Sequence, residues 1–206
     1  MKTALISDIH GNYDGLKAVL ADIAEQHCDR VICLGDLVDG GLQSTEVVRE
    51  LQASKVLTVR GNHDEYGVWD DTLPADVRDF LRSLPEEIIE GDVFYTHTSP
   101  RKKKAKIRDE IEAWNVFEET DWRRVFVGDV HIPMILGQQS DRQVSATQHT
   151  ITYDEIFAFD ASDRYIVCVG AVGYSRDGWR QLRYAIYDDV EDTLLFRAPP
   201  GPIFVF

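Results

Sequence analysis

Five short segments each set a carboxylate, an asparagine or a histidine directly after an apolar run. They are Asp8-Ile9-His10, Gly35-Asp36 with Asp39, Gly61-Asn62-His63-Asp64, the lone His97, and Gly128-Asp129-Val130-His131. Carboxylate oxygens, an amide oxygen and imidazole nitrogens form a mixed donor set, suited to Mn, Fe, Zn or Co more than to Ca. Asp8 and His10 stand two apart, so a loop leaving a strand can aim both at one ion. Asp36, at a glycine-flanked turn, could bridge two cations, and Asn62 supplies a neutral oxygen where another carboxylate would over-neutralise a dication. Two cations about 3.5–4 Å apart, sharing a carboxylate and a hydroxide, drive in-line attack at phosphorus. Only protonation of the leaving group then remains, and His63 beside Asn62 is placed to supply it.

Taken singly, each segment has a plainer reading. An Asp-x-His triplet is usually an ordinary loop, a lone histidine usually bonds a backbone carbonyl, and Asn62-His63-Asp64 would serve as a helix cap. Their shared context outweighs these readings, because all five follow strand-like runs and four of the six histidines belong to them.

The runs that must position these groups are residues 3–7, 31–34, 56–59, 93–96 and 125–127. Parallel strands bring their carboxyl ends to one edge of a sheet, where open α/β sheets bind ligands. Between the first three runs, Leu16, Val19, Leu20 and Ile23, and then Val47, Val48 and Leu51, recur at helical spacing. After the third run, Pro74 starts a helix carrying Val77, Phe80 and Leu81. Strand, helix, strand, helix, strand predicts a parallel sheet with right-handed crossovers. Residues 99–122 read as one polar helix with Ile107, Ile111, Trp114 and Phe117 on a face. Beyond residue 125 the pattern predicts short strands at 134–136, 143–146, 156–159, 165–169, 181–187 and 193–197. The turns Gly137-Gln138, Ala161-Ser162-Asp163 and Asp188-Asp189 suggest antiparallel hairpins. A two-sheet α/β sandwich follows, with helices outside and the motif loops at one edge.

Composition narrows the function further. At 206 residues, 44% apolar and 28% charged, the chain reads as one globular domain spanning 1–206. Its net charge of −14 argues against nucleic acid or an anionic membrane as partner. Cys28, Cys33 and Cys168 are odd in number and scattered, and read as reduced thiols rather than a disulfide framework. With no signal-like or membrane-spanning stretch, a cytoplasmic enzyme is the expectation.

Together these residues resemble the calcineurin-like metallophosphoesterases, whose pattern runs D-x-H, G-D-x-x-D, G-N-H-[D/E], a lone His, and G-H-x-H. The matches are Asp8/His10, Gly35-Asp36-Leu37-Val38-Asp39, Gly61-Asn62-His63-Asp64, His97 and Gly128-Asp129-Val130-His131. Gly170-Ala171-Val172-Gly173, with Arg176, further resembles a segment of the small bacterial phosphodiesterase branch. The resemblance implies a four-layer αββα sandwich of two mixed β-sheets flanked by helices. It implies two divalent metal ions, with Mn²⁺ expected first and Fe, Zn, Mg, Co or Ni as other occupants. Asp8, His10, Asp36 and His131 would hold one ion. Asp36 would bridge to the other, held also by Asn62, His97 and the residue at 129. His63 would protonate the leaving group, with Asp64 beside it in the catalytic set.

Asp129 departs from this pattern, standing where the family usually has a histidine. It either favours Mn or Mg over Zn at the second position or leaves that position weak. Gly40, where related protein phosphatases carry an arginine, and Asp64 in place of their glutamate count against a phosphoprotein substrate. The expected activity is therefore hydrolysis of small phosphodiesters. Hydrolysis of nucleoside or dinucleoside polyphosphates is the alternative enzyme reading, and a non-catalytic metal-binding scaffold the third. A small phosphorylated substrate is the expected partner.

A basic run, Arg101 to Lys104 with Lys106 and Arg108, is either a mobile rim that attracts anions or a solvated loop. Arg60 and Arg176 are candidate phosphate clamps or surface ion pairs, and Trp69, Trp114 and Tyr174 candidate base-stacking or packing residues. The apolar tail, residues 203–206, either covers the chain's own core or pairs with a second subunit in a homo-oligomer.

Overall fold

The computed structural model describes residues 1–176 and 178–204. The chain opens as its apolar spacing predicts, with β1 (Lys2–Ile6), α1 (Tyr13–Glu25), β2 (Arg30–Cys33), α2 (Ser44–Ala53) and β3 (Leu57–Thr58). Helix α1 begins at Asn12, whose side chain accepts the Gly15 N–H at 3.0 Å, a cap worth about 1 kcal/mol. Leu16, Val19 and Ile23 then share its buried face. Next come α3 (Asn62–Gly67), α4 (Ala75–Ser83), β4 (Glu87–Glu90), β5 (Val93–Thr96), α5 (Glu110–Glu119) and β6 (Arg124–Val127). The chain continues through β7 (Met134–Gly137), β8 (Thr147–His149), β9 (Ile156–Ala158), β10 (Tyr165–Cys168), β11 (Tyr184–Asp188) and β12 (Thr193–Arg197).

These strands form two six-stranded mixed sheets, ordered β3-β2-β1-β11-β12-β9 and β4-β5-β6-β10-β7-β8. The first three strands are parallel, as are β5, β6 and β10. Alternation along each strand builds the layers. Ala4 and Ile6 face one way, packing with Leu16, Val19, Val48, Val77 and Leu81 from the helices. Leu5 faces the other way, into a core between the sheets that includes Tyr95, Phe126 and Val167. On the far side of the second sheet, Phe94, Val125 and Val127 pack against Ala113, Val116 and Phe117 of α5. The result is the four-layer αββα sandwich.

At the edge opposite the motif loops, Arg124 at the start of β6 is buried and donates to the Asp192 carboxylate at 3.1 and 2.6 Å. Arg123 adds a bond of 2.8 Å to the same carboxylate, and the Arg124 guanidinium lies 4.4 Å from the Phe159 ring centre. Because Asp192 precedes β12 in the first sheet, this pair ties the two sheets together.

Some expected elements fall elsewhere. The helix expected over 99–122 is confined to α5, because the Asp109 side chain accepts the Ile111 and Glu112 N–H groups and sets its start. The strand expected at 143–146 lies instead at β8, where Gln148 opposes Leu136. Ala161-Ser162-Asp163 does not close a hairpin, since β9 and β10 belong to different sheets. Asp188-Asp189 does, joining β11 to its antiparallel neighbour β12. The three cysteines are free thiols. Among the described residues no helix is long and apolar enough to cross a membrane. Of the apolar tail, Ile203 packs on the core beside the helices, and residues 205–206 lie outside the described residues.

Candidate metal centre

The loops after β1, β2, β5 and β6, with the start of α3, meet at one edge and bring the predicted side chains together. Asp8, His10 and His131 place one donor atom each within 4.8 Å of one another, and so do Asp8, Asp36 and His97. Asp36 Oδ2 lies between the two groups, 3.6 Å from His10 Nε2 and 3.2 Å from His97 Nε2. Asn62 Oδ1 is 3.2 Å from His97 Nε2, and His131 Nε2 is 3.2 Å from Asp8 Oδ1.

Each of the three buried imidazoles donates its Nδ1–H to a main-chain carbonyl. His10 bonds Asp39 at 2.7 Å, His97 bonds Leu34 at 2.6 Å, and His131 bonds Tyr174 at 2.8 Å. Such a bond fixes the ring and leaves Nε2 as the ligating lone pair. His10 Nε2 and Asp129 Oδ2 are buried without a hydrogen-bond partner among the described residues. Unsatisfied buried polar atoms of this kind cost free energy unless something fills the space. The donor set and its orphaned atoms therefore fit divalent cations.

The main chain here is unusual. Asp8, His10, Asp36, Asp39, Asp129 and His131 all have φ between +50° and +67°. Left-handed backbone costs an ordinary residue about 1–2 kcal/mol. It is held by bonds between the loops: Asp8 N–H to Gly35 O, His10 N–H to Asp36 O, Gly173 N–H to Asp8 O, and Gly128 N–H to His97 O, from 2.7 to 3.0 Å. Gly61 is required by close approach, since a Cβ there would lie 2.1 Å from Asp36 Oδ1.

Electrostatics follow from crowding carboxylates and imidazoles in a buried space. Burial pushes Asp8 up, but the bond from His131 and the charges of His131, His97 and His10 outweigh it and hold the carboxyl low. Asp36 is likewise held low, its burial outweighed by His97. Burial opposes protonation of His97, yet the Asp36 charge and hydrogen bond raise it to about 10 in the metal-free chain. Burial dominates at His10 and lowers it.

His63 stands at the mouth, its side chain 31% exposed and its Nε2 3.9 Å from Asp36 Oδ2. Its Nδ1–H donates to the Asp39 carboxylate at 2.6 Å, which turns Nε2 toward the cluster. Asp64, expected beside His63 in the catalytic set, is fully buried and accepts the N–H groups of Asp36, Leu37 and Gly61 at 2.7–2.9 Å. Those bonds pin the Asp36 turn to α3, so its geometry is that of a positioning residue. Burial and the nearby Asp36 charge push Asp64 up to about 6 against these donors.

Other residues fall into place around the cluster. Asp129 N–H donates to Asp8, and Asp129 Oδ1 lies 4.0 Å from His97 Nε2 and pairs with Lys106. Elsewhere in the basic run, Arg101 bonds Glu112 and Glu119, Lys104 lies 3.8 Å from Glu86, and Lys102, Lys103 and Arg108 are exposed. Arg60 reaches Glu86, and Arg176 bonds the Tyr174 hydroxyl. The Tyr174 ring lies 4.3 Å from the His131 ring, while Trp69 is exposed. The roles of Asp39 and Lys106 were missed in the sequence, where long-range pairs leave no local signal.

A family model described as calcineurin-like phosphoesterase matches residues 1–135. The chain is 30% identical over 212 residues to an uncharacterized protein of Methanocaldococcus jannaschii, covering 90% of this chain and 82% of that one. A crystal structure of a metallophosphoesterase from Sphaerobacter thermophilus superposes with a TM-score of 0.88 at 29% identity, covering 98% of this chain and 89% of that one. A symmetrical bis(5'-nucleosyl)-tetraphosphatase of Sodalis glossinidius is 45% identical over 67 residues, which is 31% of this chain and only 24% of that enzyme.

Proposed function

The chain belongs to the calcineurin-like phosphoesterase family, and we propose that it is a dinuclear, metal-dependent hydrolase of small phosphodiesters. The observation that carries this reading is the shared Asp36 carboxylate, whose Oδ2 is within 3.6 Å of His10 Nε2 and 3.2 Å of His97 Nε2. Asp8, His10 and His131 would complete one ion's ligands with Asp36, and Asn62, His97 and Asp129 the other's. Mn²⁺ is the ion first expected, from the mix of oxygen and imidazole donors. When bound, two such cations acidify a water for in-line attack and screen the phosphoryl charge.

The chain's own residues do the rest. The main-chain bonds of the three buried imidazoles hold their Nε2 atoms on the cluster before any ion arrives, which limits reorganisation. Asp64 holds the Asp36 turn against α3, so the shared carboxylate keeps its place. His63 donates the proton to the departing oxygen from Nε2, while Asp39 holds its Nδ1–H and keeps the ring turned inward.

A second reading, hydrolysis of dinucleoside polyphosphates, is favoured by the 45% identity over 67 residues to a symmetrical bis(5'-nucleosyl)-tetraphosphatase. One assay separates these readings. Bis-p-nitrophenyl phosphate, p-nitrophenyl phosphate and a dinucleoside tetraphosphate are offered with Mn²⁺ and with EDTA. Metal-dependent turnover that is fastest on the diester supports the first reading, and fastest on the tetraphosphate the second. No metal-dependent turnover on any of them would leave a metal-binding scaffold.

A further inference from the structure

Asp129 and Lys106 meet at the second ligand group from separate parts of the chain. Asp129 leaves the end of β6, and Lys106 belongs to the segment ahead of α5. The Asp129 carboxylate is buried, with Oδ1 on the Lys106 ammonium and Oδ2 without a partner among the described residues. A buried carboxylate left unpaired is costly, and a lysine partner removes much of that cost. The pair carries no net charge, as a neutral histidine at position 129 would.

Lys106 is not part of a freely moving rim. Next to it, Ile107 is buried against α5 and the second sheet, and Arg101 is fixed by Glu112 and Glu119. The backbone therefore delivers the side chain to this point. The side chain itself is 36% exposed, so its ammonium has water beside it and can leave Asp129 without being stranded.

We propose that Lys106 is a positioning residue for the second cation, holding the Asp129 carboxylate until an ion displaces its ammonium. This rests on the two-cation reading above. A dication at the Asn62, His97 and Asp36 donors would lie close to Asp129 and would compete directly with Lys106 for it. Among the described residues, no lysine or arginine is paired in this way with the first group, Asp8, His10 and His131. The chain therefore fills its two positions in order, the first tightly and the second more weakly, with Lys106 setting the gap.

The test is Mn²⁺ titration of the metal-free chain by calorimetry, with electron paramagnetic resonance to register spin coupling between two bound ions. The wild type is expected to show two affinity classes, with coupling appearing only as the second fills. Lys106→Met is expected to tighten the second class by about tenfold or more, the scale of changes next to a ligand. It should leave the first class within about twofold, which also verifies the fold. Lys106→Gln serves as an independent second removal, and Lys106→Arg is expected to keep the wild-type gap. In an Asp129→Asn background, removing Lys106 should shift the second class by less than about twofold. An unchanged or weaker second class in both Lys106→Met and Lys106→Gln overturns the proposal while leaving two cations standing. So does a full shift that persists without the Asp129 charge. A single class in every variant overturns both this proposal and the two-cation reading.

Discussion

The two edges of the sandwich treat buried charge in opposite ways. At the far edge, Arg123 and Arg124 close around Asp192, and the guanidinium of Arg124 is buried with its bonds made. At the motif edge, Asp8, Asp36 and Asp129 are buried close together, the main chain is left-handed at six side-chain-bearing residues, and His10 Nε2 has no partner among the described residues. One edge spends its charges on joining the two sheets. The other holds charges ready for something not contributed by the chain. Left-handed backbone at six residues that carry possible donor atoms, against a carboxylate closed in by two arginines at the other edge, marks where the fold gives up stability for chemistry.

Substitutions that separate activity from stability sharpen this contrast. His63→Ala should cut metal-dependent turnover by about 10²–10⁴-fold. Its metal content by elemental analysis and its melting temperature should stay near wild type, and a comparable loss of metal would reassign His63 as a ligand. Asp192→Ala at the far edge should cost about 3–5 kcal/mol, because it leaves a buried arginine unpaired. Denaturant midpoints would register that loss, while turnover per folded molecule should not change. If it does, the two edges are not independent.

Asp39→Asn should weaken turnover less than His63→Ala, since the ring stays but loses its charged partner. Rate profiles against pH would move with it if Asp39 orients His63. The subtlest expectation concerns the metal-free chain. His97 is raised from 6.5 to about 10 in the folded state, so its contribution to stability is complete below 6.5 and is lost as pH rises through about 10. Melting temperatures in EDTA should fall across that window, and His97→Gln should flatten the fall. With Mn²⁺ present the trend should weaken or reverse, because the ion takes the neutral imidazole and releases the proton.

Much of the fold could be read from apolar spacing, because β1, β2, β5, β6 and β10 are buried on both faces and stand out as short apolar runs. What escaped were edge strands. β4 reads Glu-Ile-Ile-Glu, an apolar pair between two charges with no fully buried residue, and β8 reads Thr-Gln-His, so neither stands out as an apolar run. The false helix over 99–109 arose from Ile107, which is buried from a loop rather than from a helical face. At the site, side chains following strands were legible because strand ends converge. Asp64 was not, since its buried position under the Asp36 turn depends on main-chain donors that no residue type announces. Lys106 was visible only as one charge in a run.

The left-handed backbone of the motif loops also limits which replacements the site can accept. Aspartate, asparagine and histidine are the non-glycine residues most at ease at positive φ, and they are also metal donors. At position 129, where φ is +67°, aspartate stands where the motif pattern that the sequence resembles has histidine. Both residues tolerate that conformation, so a nitrogen donor can give way to an oxygen donor with the main chain in place. Exchanges within this small alphabet can retune the charge of the cluster while preserving the loops, whereas a glutamate or cysteine there would carry the full cost of left-handed backbone, about 1–2 kcal/mol.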